Sequence, residues 1–152
     1  MDISNAFTAL LDSIKNNNGF EDNVFDEFIS RSEDEYKKCE DKLSKKFVSL
    51  LVNNEFLHDS EIIGLSVKSY FSNQKYLCDV DIQIKTSQKK KLHTITYKQV
   101  SPFIIERYEE SNSRWTWGYG YIKKMEDNHI EQNIICFPCT LIKMKCKKII
   151  IS

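Results

Sequence analysis

The sequence predicts an α+β fold: three N-terminal helices packed on a curved antiparallel sheet of six or seven strands. Apolar residues recur at spacings of three and four as far as Asn53-Asn54, then at spacings of two to the end of the chain. The strand-like segments follow one another across short polar turns, without the strand–helix–strand alternation that a parallel sheet requires. A length of 152 residues fits a single domain, 1–152, with one core.

In the first helix, over about 4–16, Ile3, Phe7, Leu10, Leu11 and Ile14 form one face. Asp2 or Ser4 can cap its start, and Asn16-Asn17-Asn18-Gly19 supplies the left-handed conformations that end it. A short second helix, about 22–30, carries Val24, Phe25, Phe28 and Ile29 behind Phe20, with Asp22 or Asn23 as its cap. Ser32 and Glu35 have the spacing of a capping box, so a third helix is expected over about 33–53. Its apolar stripe is Tyr36, Cys39, Leu43, Phe47, Leu50 and Leu51.

The sheet begins with Leu65, Val67 and Phe71, turns at Ser72-Asn73-Gln74, and returns through Val80, Ile82 and Ile84 as a hairpin. A turn within Ser87–Lys90 leads to a strand from Leu92 to Val100 with Ile95 and Tyr97 facing inward. Pro102 lacks a backbone N–H, which places the next strand, Phe103–Tyr108, at an edge or after a bend. Further strands are expected at about 114–124, 130–137 and 140–151. The last directs Ile142, Met144, Cys146 and Ile150 inward and Lys143, Lys145 and Lys147 outward.

The strand at 114–124 is the most distinctive segment. In Trp115-Thr116-Trp117-Gly118-Tyr119-Gly120-Tyr121 every second residue is a large aromatic and every residue between is small. Strict alternation puts Trp115, Trp117, Tyr119 and Tyr121 on one face, where they either fill the core or wall a pocket.

Formal charge is zero but polarised: residues 1–60 hold 13 acidic against 7 basic side chains, and residues 61–152 hold 9 against 15. Acidic helices can neutralise a basic sheet, or one pole can steer a partner. Five cysteines, an odd number, favour reduced thiols. With no apolar run near membrane length and no basic-then-apolar start, the expectation is a cytoplasmic protein that does not enter a membrane.

Catalytic chemistry finds little support. Cys136 and Cys139 have the spacing of half a zinc site, but no second close pair accompanies them, so neither metal nor cofactor is expected. His58, His93 and His129 are isolated from each other. Asp79 with Asp81, and Glu109 with Glu110, have the pattern of solvated carboxylates. Only four glycines are present, and none forms a phosphate loop. Lys89-Lys90-Lys91 and the series Lys143, Lys145, Lys147 and Lys148 could meet phosphates, although zero net charge argues against nucleic-acid binding.

In layout the chain resembles the cone-shaped folds similar to nuclear transport factor 2, which implies helices packed into the concave face of a curved sheet. In character, an acidic helical part rich in Phe resembles bacterial immunity proteins. That resemblance implies a non-catalytic inhibitor occluding one protein partner, such as a basic toxin, with Glu21, Asp22, Asp26, Glu27, Glu33, Asp34 and Glu35 steering the encounter. The alternative is a cone-shaped pocket protein, a binder of a small apolar ligand or an enzyme. Trp115, Trp117, Tyr119 and Tyr121 would then line the wall, with Asp79, His93 or Tyr97 as polar groups. A deep apolar cavity with a few convergent polar groups favours the second reading; a filled interior with a charged patch favours the first.

Overall fold

The computed structural model describes residues 2–16, 21–138 and 140–152. Helix α1, Ile3–Lys15, starts at Asp2, whose carboxylate accepts the Asn5 N–H at 2.9 Å, and ends before Asn16. Asn17, Asn18, Gly19 and Phe20, to which the sequence assigned the helix stop and the next apolar residue, lie outside the described residues.

Helix α2, Asp22–Cys39, runs through the break expected between residues 30 and 33. Ser30-Arg31-Ser32 contains no glycine or proline to stop it. The Ser32 hydroxyl donates back to the Ile29 carbonyl at 3.0 Å instead of capping a new helix, and Arg31 pairs with Glu27 at 2.9 Å on the preceding turn. The break falls later, at a single 3-10 turn, Glu40–Lys42, after which Ser44 caps helix α3, Lys45–Asn53, by accepting the Phe47 N–H at 3.1 Å. The apolar stripe expected of one long helix is thus divided: Tyr36 and Cys39 end α2, Leu43 lies in the connection, and Phe47, Leu50 and Leu51 belong to α3.

Among the described residues the sheet has eight strands, all paired antiparallel: β1 Glu61–Ser72, β2 Lys75–Lys85, β3 Leu92–Lys98, β4 Phe103–Arg107, β5 Trp115–Lys124, β6 Ile130–Phe137, β7 Thr140–Cys146 and β8 Lys148–Ile151. Their order is β4-β7-β6-β5-β1-β2-β3-β8. The expected six or seven become eight because Lys147 divides the last segment. Its N–H leaves the ladder and donates to the Lys98 carbonyl at 2.9 Å. The alternation slips there: Ile142, Met144 and Cys146 are buried before the break, but after it Ile149 is buried and Ile150, expected inward, is exposed.

This divided segment curls the sheet. β7 pairs with β4, β8 pairs with β3, and the Ser101 N–H bonds to the Lys145 carbonyl at 2.8 Å, so the two ends of the sheet meet round one corner. Asp79 fastens that corner to the β1–β2 hairpin. Its carboxylate accepts the Lys98 ammonium at 2.6 Å, the Gln99 N–H at 2.9 Å and the Tyr70 hydroxyl at 3.1 Å.

Helices cover both faces of the curled sheet, whereas the resemblance to cone-shaped folds implied packing into the concave face. On the inner face Phe47, Leu50 and Leu51 of α3, with Leu57, pack on Val80, Ile82, Ile84, Ile95, Tyr97, Ile134 and Ile142. On the outer face Ile3, Phe7 and Leu10 of α1, with Phe28 of α2, pack on Tyr121, Ile135 and Leu141. Neighbours Ile134 and Ile135, and likewise Leu141 and Ile142, point into different cores, as strand alternation requires.

Strands β1 and β5 touch through two residue pairs only, Glu61 with Thr116 and Ile62 with Trp115. Beyond them β1 goes on with β2 as a hairpin closed by Asn73-Gln74, both with positive φ as a tight two-residue turn demands. Val67 and Phe71, two of the apolar residues that mark this strand in the sequence, are exposed on this arm. Among the described residues the edge of β5 beyond Trp117 has no strand beside it, and α2 packs there instead.

The aromatic strand does not alternate strictly. Opposite β6, Trp117 pairs with Cys136 while Tyr119 pairs with Ile135, so a bulge sits at Gly118. It sends Trp115 and Trp117 to the inner core and Tyr119 and Tyr121 to the outer one, correcting the single aromatic face. Glycine is required at the bulge because a Cβ there would lie 2.5 Å from the Phe137 ring and 2.6 Å from the Ile135 carbonyl oxygen.

Two measurements test this framework. Gly118→Ala is expected to lose about 2 kcal/mol or more in urea unfolding, because one obstacle is backbone. Gly64→Ala, whose Cβ would meet only the flexible end of Gln83 at 2.6 Å, should lose much less. For Asp79, desolvation pushes the carboxyl pKa up, but the bonds from Lys98, Gln99 and Tyr70 outweigh it and hold the pKa below the ordinary carboxylate value. A depressed folded pKa makes its contribution fully present above the unfolded value of about 3.9 and lost as pH falls through the folded one. Asp79→Asn should therefore destabilise the protein at pH 7, with the difference from the unmodified protein shrinking on acidification below pH 4.

Candidate binding cavity between α2 and β5

Where β5 leaves β1, a cavity of about 320 Å³ opens, bounded by α2, the edge of β5 and the segment after α3. Residues Phe28, Ile29 and Tyr36 of α2 form one wall; Trp117, Tyr119, Tyr121 and Ile122 of β5 form another, with Gly118 and Gly120 between them. Phe56 and His58 cover one side, and Gln132 reaches in from β6. Three of the four aromatics singled out in the sequence thus line the cavity. Trp115 packs against the inner core and does not.

The rings brace one another. Phe56 meets Tyr36 edge to face at 5.0 Å, and Tyr119 stands 5.2 Å from Phe25 in the same manner with His58 tilted at 4.8 Å. Tyr121 has its hydroxyl engaged, donating to Glu131 and accepting the Asn133 amide at 2.7 Å. Gln132 accepts the hydroxyl of fully buried Tyr97 at 2.6 Å, which fixes the amide at the cavity wall.

Tyr36 differs. Its hydroxyl is buried and has no hydrogen-bond partner among the described residues, and burial, followed by the nearby Glu40 charge, raises its pKa so that it stays protonated. A hydroxyl withdrawn from water without a partner costs about 1–3 kcal/mol.

The segment covering the cavity is strained. Glu55, Phe56 and Leu57 have φ of 50°, 54° and 69°, three consecutive left-handed residues with no glycine among them. Such a conformation costs roughly 1–2 kcal/mol per residue. It persists because Leu57 is wholly buried in the inner core, the Leu57 N–H bonds to the Asn54 carbonyl at 2.8 Å, and the Trp117 N–H bonds to the Ser60 carbonyl at 2.8 Å. Strain maintained by its surroundings gathers at ligand clamps. Here it holds the half-exposed Phe56 ring over Tyr36.

Among the described residues the titratable groups lining the cavity are Glu33, Tyr36, Glu55, His58, Tyr119 and Tyr121, with no lysine or arginine. His58 Nδ1 lies 3.2 Å from the Asp59 carboxylate. The cavity therefore presents aromatic faces, two carboxylates and one unpartnered hydroxyl.

The other sequence candidates lie elsewhere. Of the seven acids on and beside α2, Glu33 reaches the cavity, Glu27 and Glu35 pair with Arg31 and Lys38, and Glu21, Asp22, Asp26 and Asp34 are exposed. At about 100° per residue Asp22, Asp26 and Glu33 form one stripe and Glu27 and Asp34 another, about 100° round the helix. Asp81 accepts the Thr96 hydroxyl at 2.6 Å, and Glu109 and Glu110 are exposed. Cys136 is buried, and Cys139 lies outside the described residues. Burial pushes the Cys39 and Cys146 thiols up to about 11 and about 12, which keeps them inert at neutral pH. Among the described residues no three His, Cys, Asp or Glu side chains form a metal-holding group, and no helix is long and apolar enough to cross a membrane.

Sequence reasoning missed Tyr36 and Gln132 as cavity groups, and it found His58 only isolated from the other histidines. The period-3.6 stripe did contain Tyr36, but a stripe does not say which member faces a void.

No protein-family model matches the chain, and no curated protein sequence matches it.

Tyr36→Phe tests the unpartnered hydroxyl. Removing it should leave stability unchanged or raise it by up to about 1 kcal/mol in thermal or urea unfolding. A loss of more than about 1 kcal/mol would mean that the hydroxyl is bonded in solution.

Proposed function

We propose that this protein binds one small ligand in the α2–β5 cavity, a ligand with an apolar or aromatic body and an amine or other cationic group. The observation that carries this reading is the lining itself: rings of Tyr36, Phe56, Trp117 and Tyr119, carboxylates of Glu33 and Glu55, an unpartnered Tyr36 hydroxyl, and no lysine or arginine. Aromatic faces attract a cation within about 6 Å of the ring centre, and more strongly once water is excluded. A cavity of about 320 Å³ is at the small end of ligand sites, which run from about 300 to 1,000 Å³. The likeness to cone-shaped folds of the nuclear transport factor 2 type belongs to this proposal, since those folds also enclose a pocket between helices and a curved sheet.

A second reading keeps the protein as an inhibitor that occludes a basic protein partner. It is favoured by exposed Asp22, Asp26 and Asp34 on α2, which carry no ion pair among the described residues. The two readings separate on what neutralises their charges: Glu33 and Glu55 for the ligand, Asp22, Asp26 and Asp34 for the partner.

Trp115→Phe leaves Trp117 as the only indole and a fluorescence reporter at the cavity wall. Titration with benzyltrimethylammonium should quench it saturably, while phenylpropionate, similar in shape but anionic, should bind at least about tenfold more weakly. Glu33→Gln with Glu55→Gln should remove most of that difference. Equal binding of the two probes would defeat the charge assignment, and no saturable binding of either would defeat the cavity as a ligand site.

A further inference from the structure

A second concavity, of about 540 Å³, lies between α3 and the β2–β3 turn, with Ile151 and Ser152 of the β8 end beside it. Its chemistry is the reverse of the first. Lys45 and Lys46 reach it from α3, Lys89 and Lys91 from the turn and His93 from β3, while no aspartate or glutamate lines it. None of the four lysines takes part in an ion pair among the described residues.

Four ammonium groups gathered at one groove with no aspartate or glutamate in its lining repel one another, and the backbone is fixed at both of its walls. On one side the Ser44 cap fixes the start of α3. On the other the Thr86 N–H bonds to the Lys91 carbonyl at 2.9 Å and the Thr86 hydroxyl accepts the Lys91 N–H at 3.1 Å; Lys90 turns left-handed between them. Lys89 and Lys91 are thereby held at the groove while Lys90 does not line it. Polar groups that accept or donate without charge, Ser49, Asn53, Asn54 and Thr86, fill the space between the two cationic walls.

We propose that this groove binds a small anion bearing two or more phosphoryl groups. Two lysines on each wall match a ligand whose charge is spread over several oxygens, and the volume far exceeds that of one phosphate. The same lining argues against single-stranded nucleic acid, because it offers no Phe, Tyr or Trp ring on which bases could stack. The groove shares no lining residue with the α2–β5 cavity, so the two sites stand or fall separately.

The test is calorimetric titration of the full chain with inorganic pyrophosphate and with tripolyphosphate at low salt, alongside amide chemical-shift mapping. One saturable site is expected, with shifts concentrated at residues 44–47 and 86–93. Lys45→Gln combined with Lys91→Gln should weaken binding about tenfold or more, while Lys68→Gln with Lys75→Gln, on the distant hairpin arm, should change it less than about twofold. The proposal is overturned by absence of a saturable site, by equal weakening in the hairpin variant, which would indicate diffuse attraction only, or by an oligothymidylate that binds more tightly than tripolyphosphate with the same dependence on Lys45 and Lys91.

Discussion

Strands β5 and β1 share only two residue pairs before they diverge, and that divergence governs the helical side of the molecule. A strand edge left open in a folded protein presents backbone N–H and C=O groups that must be covered by water, a partner or another element. Here α2 covers it, lying along β5 and passing from the outer core at Phe28 to the inner core at Cys39. A helix cannot fit a strand edge as closely as a second strand would, since paired strands lie about 4.8 Å apart while a helix with its side chains is about 10–12 Å across. The space left over is the α2–β5 cavity.

The bulge at Gly118 belongs to the same arrangement. By placing Trp117 inward and Tyr119 outward it lets one strand contribute rings to both cores and to the void at its edge. The outer core then fixes α1 and the first half of α2, and the inner core fixes α3. Both sets of packing restrain the strained turn at Glu55–Leu57, because Leu57 is buried under α3 while His58 and Phe56 lie against Tyr119 and Tyr36. Residual strain and an unpartnered Tyr36 hydroxyl therefore coincide at one place, in a fold whose other large buried groups are satisfied: Tyr97 by Gln132, Tyr121 by Glu131 and Asn133. Folds depart from local consistency chiefly where something other than stability is served.

Charge follows the same division. The acidic opening third places Glu33 and Glu55 at an aromatic cavity, and the basic remainder joins α3 to collect four lysines about a second groove. Zero net charge, which argued against nucleic-acid binding, conceals two local fields of opposite sign.

Much of the scaffold was legible in order along the chain. The switch of apolar period near Asn54, the Asn73-Gln74 turn, the edge position after Pro102 and the burial of Val80, Ile82, Ile84, Ile95 and Tyr97 all follow from local chemistry, since side-chain alternation and turn conformation depend on a few neighbouring residues. Three features did not: the continuation of α2 through Ser32, the break at Lys147, and the flip at Gly118. At the last two a residue took its place from a partner distant in sequence, the Lys98 carbonyl for Lys147 and the Phe137 ring for Gly118, while Ser32 turned its hydroxyl back to the Ile29 carbonyl where a cap was equally open to it. The sequence by itself determined which segments are helix and strand and which residues seek burial. Only the tertiary structure decided that β5 would part from β1 and that Tyr36, Trp117 and Phe56 would face one void, because a cavity is defined by the contacts its walls fail to make, and no local rule records those.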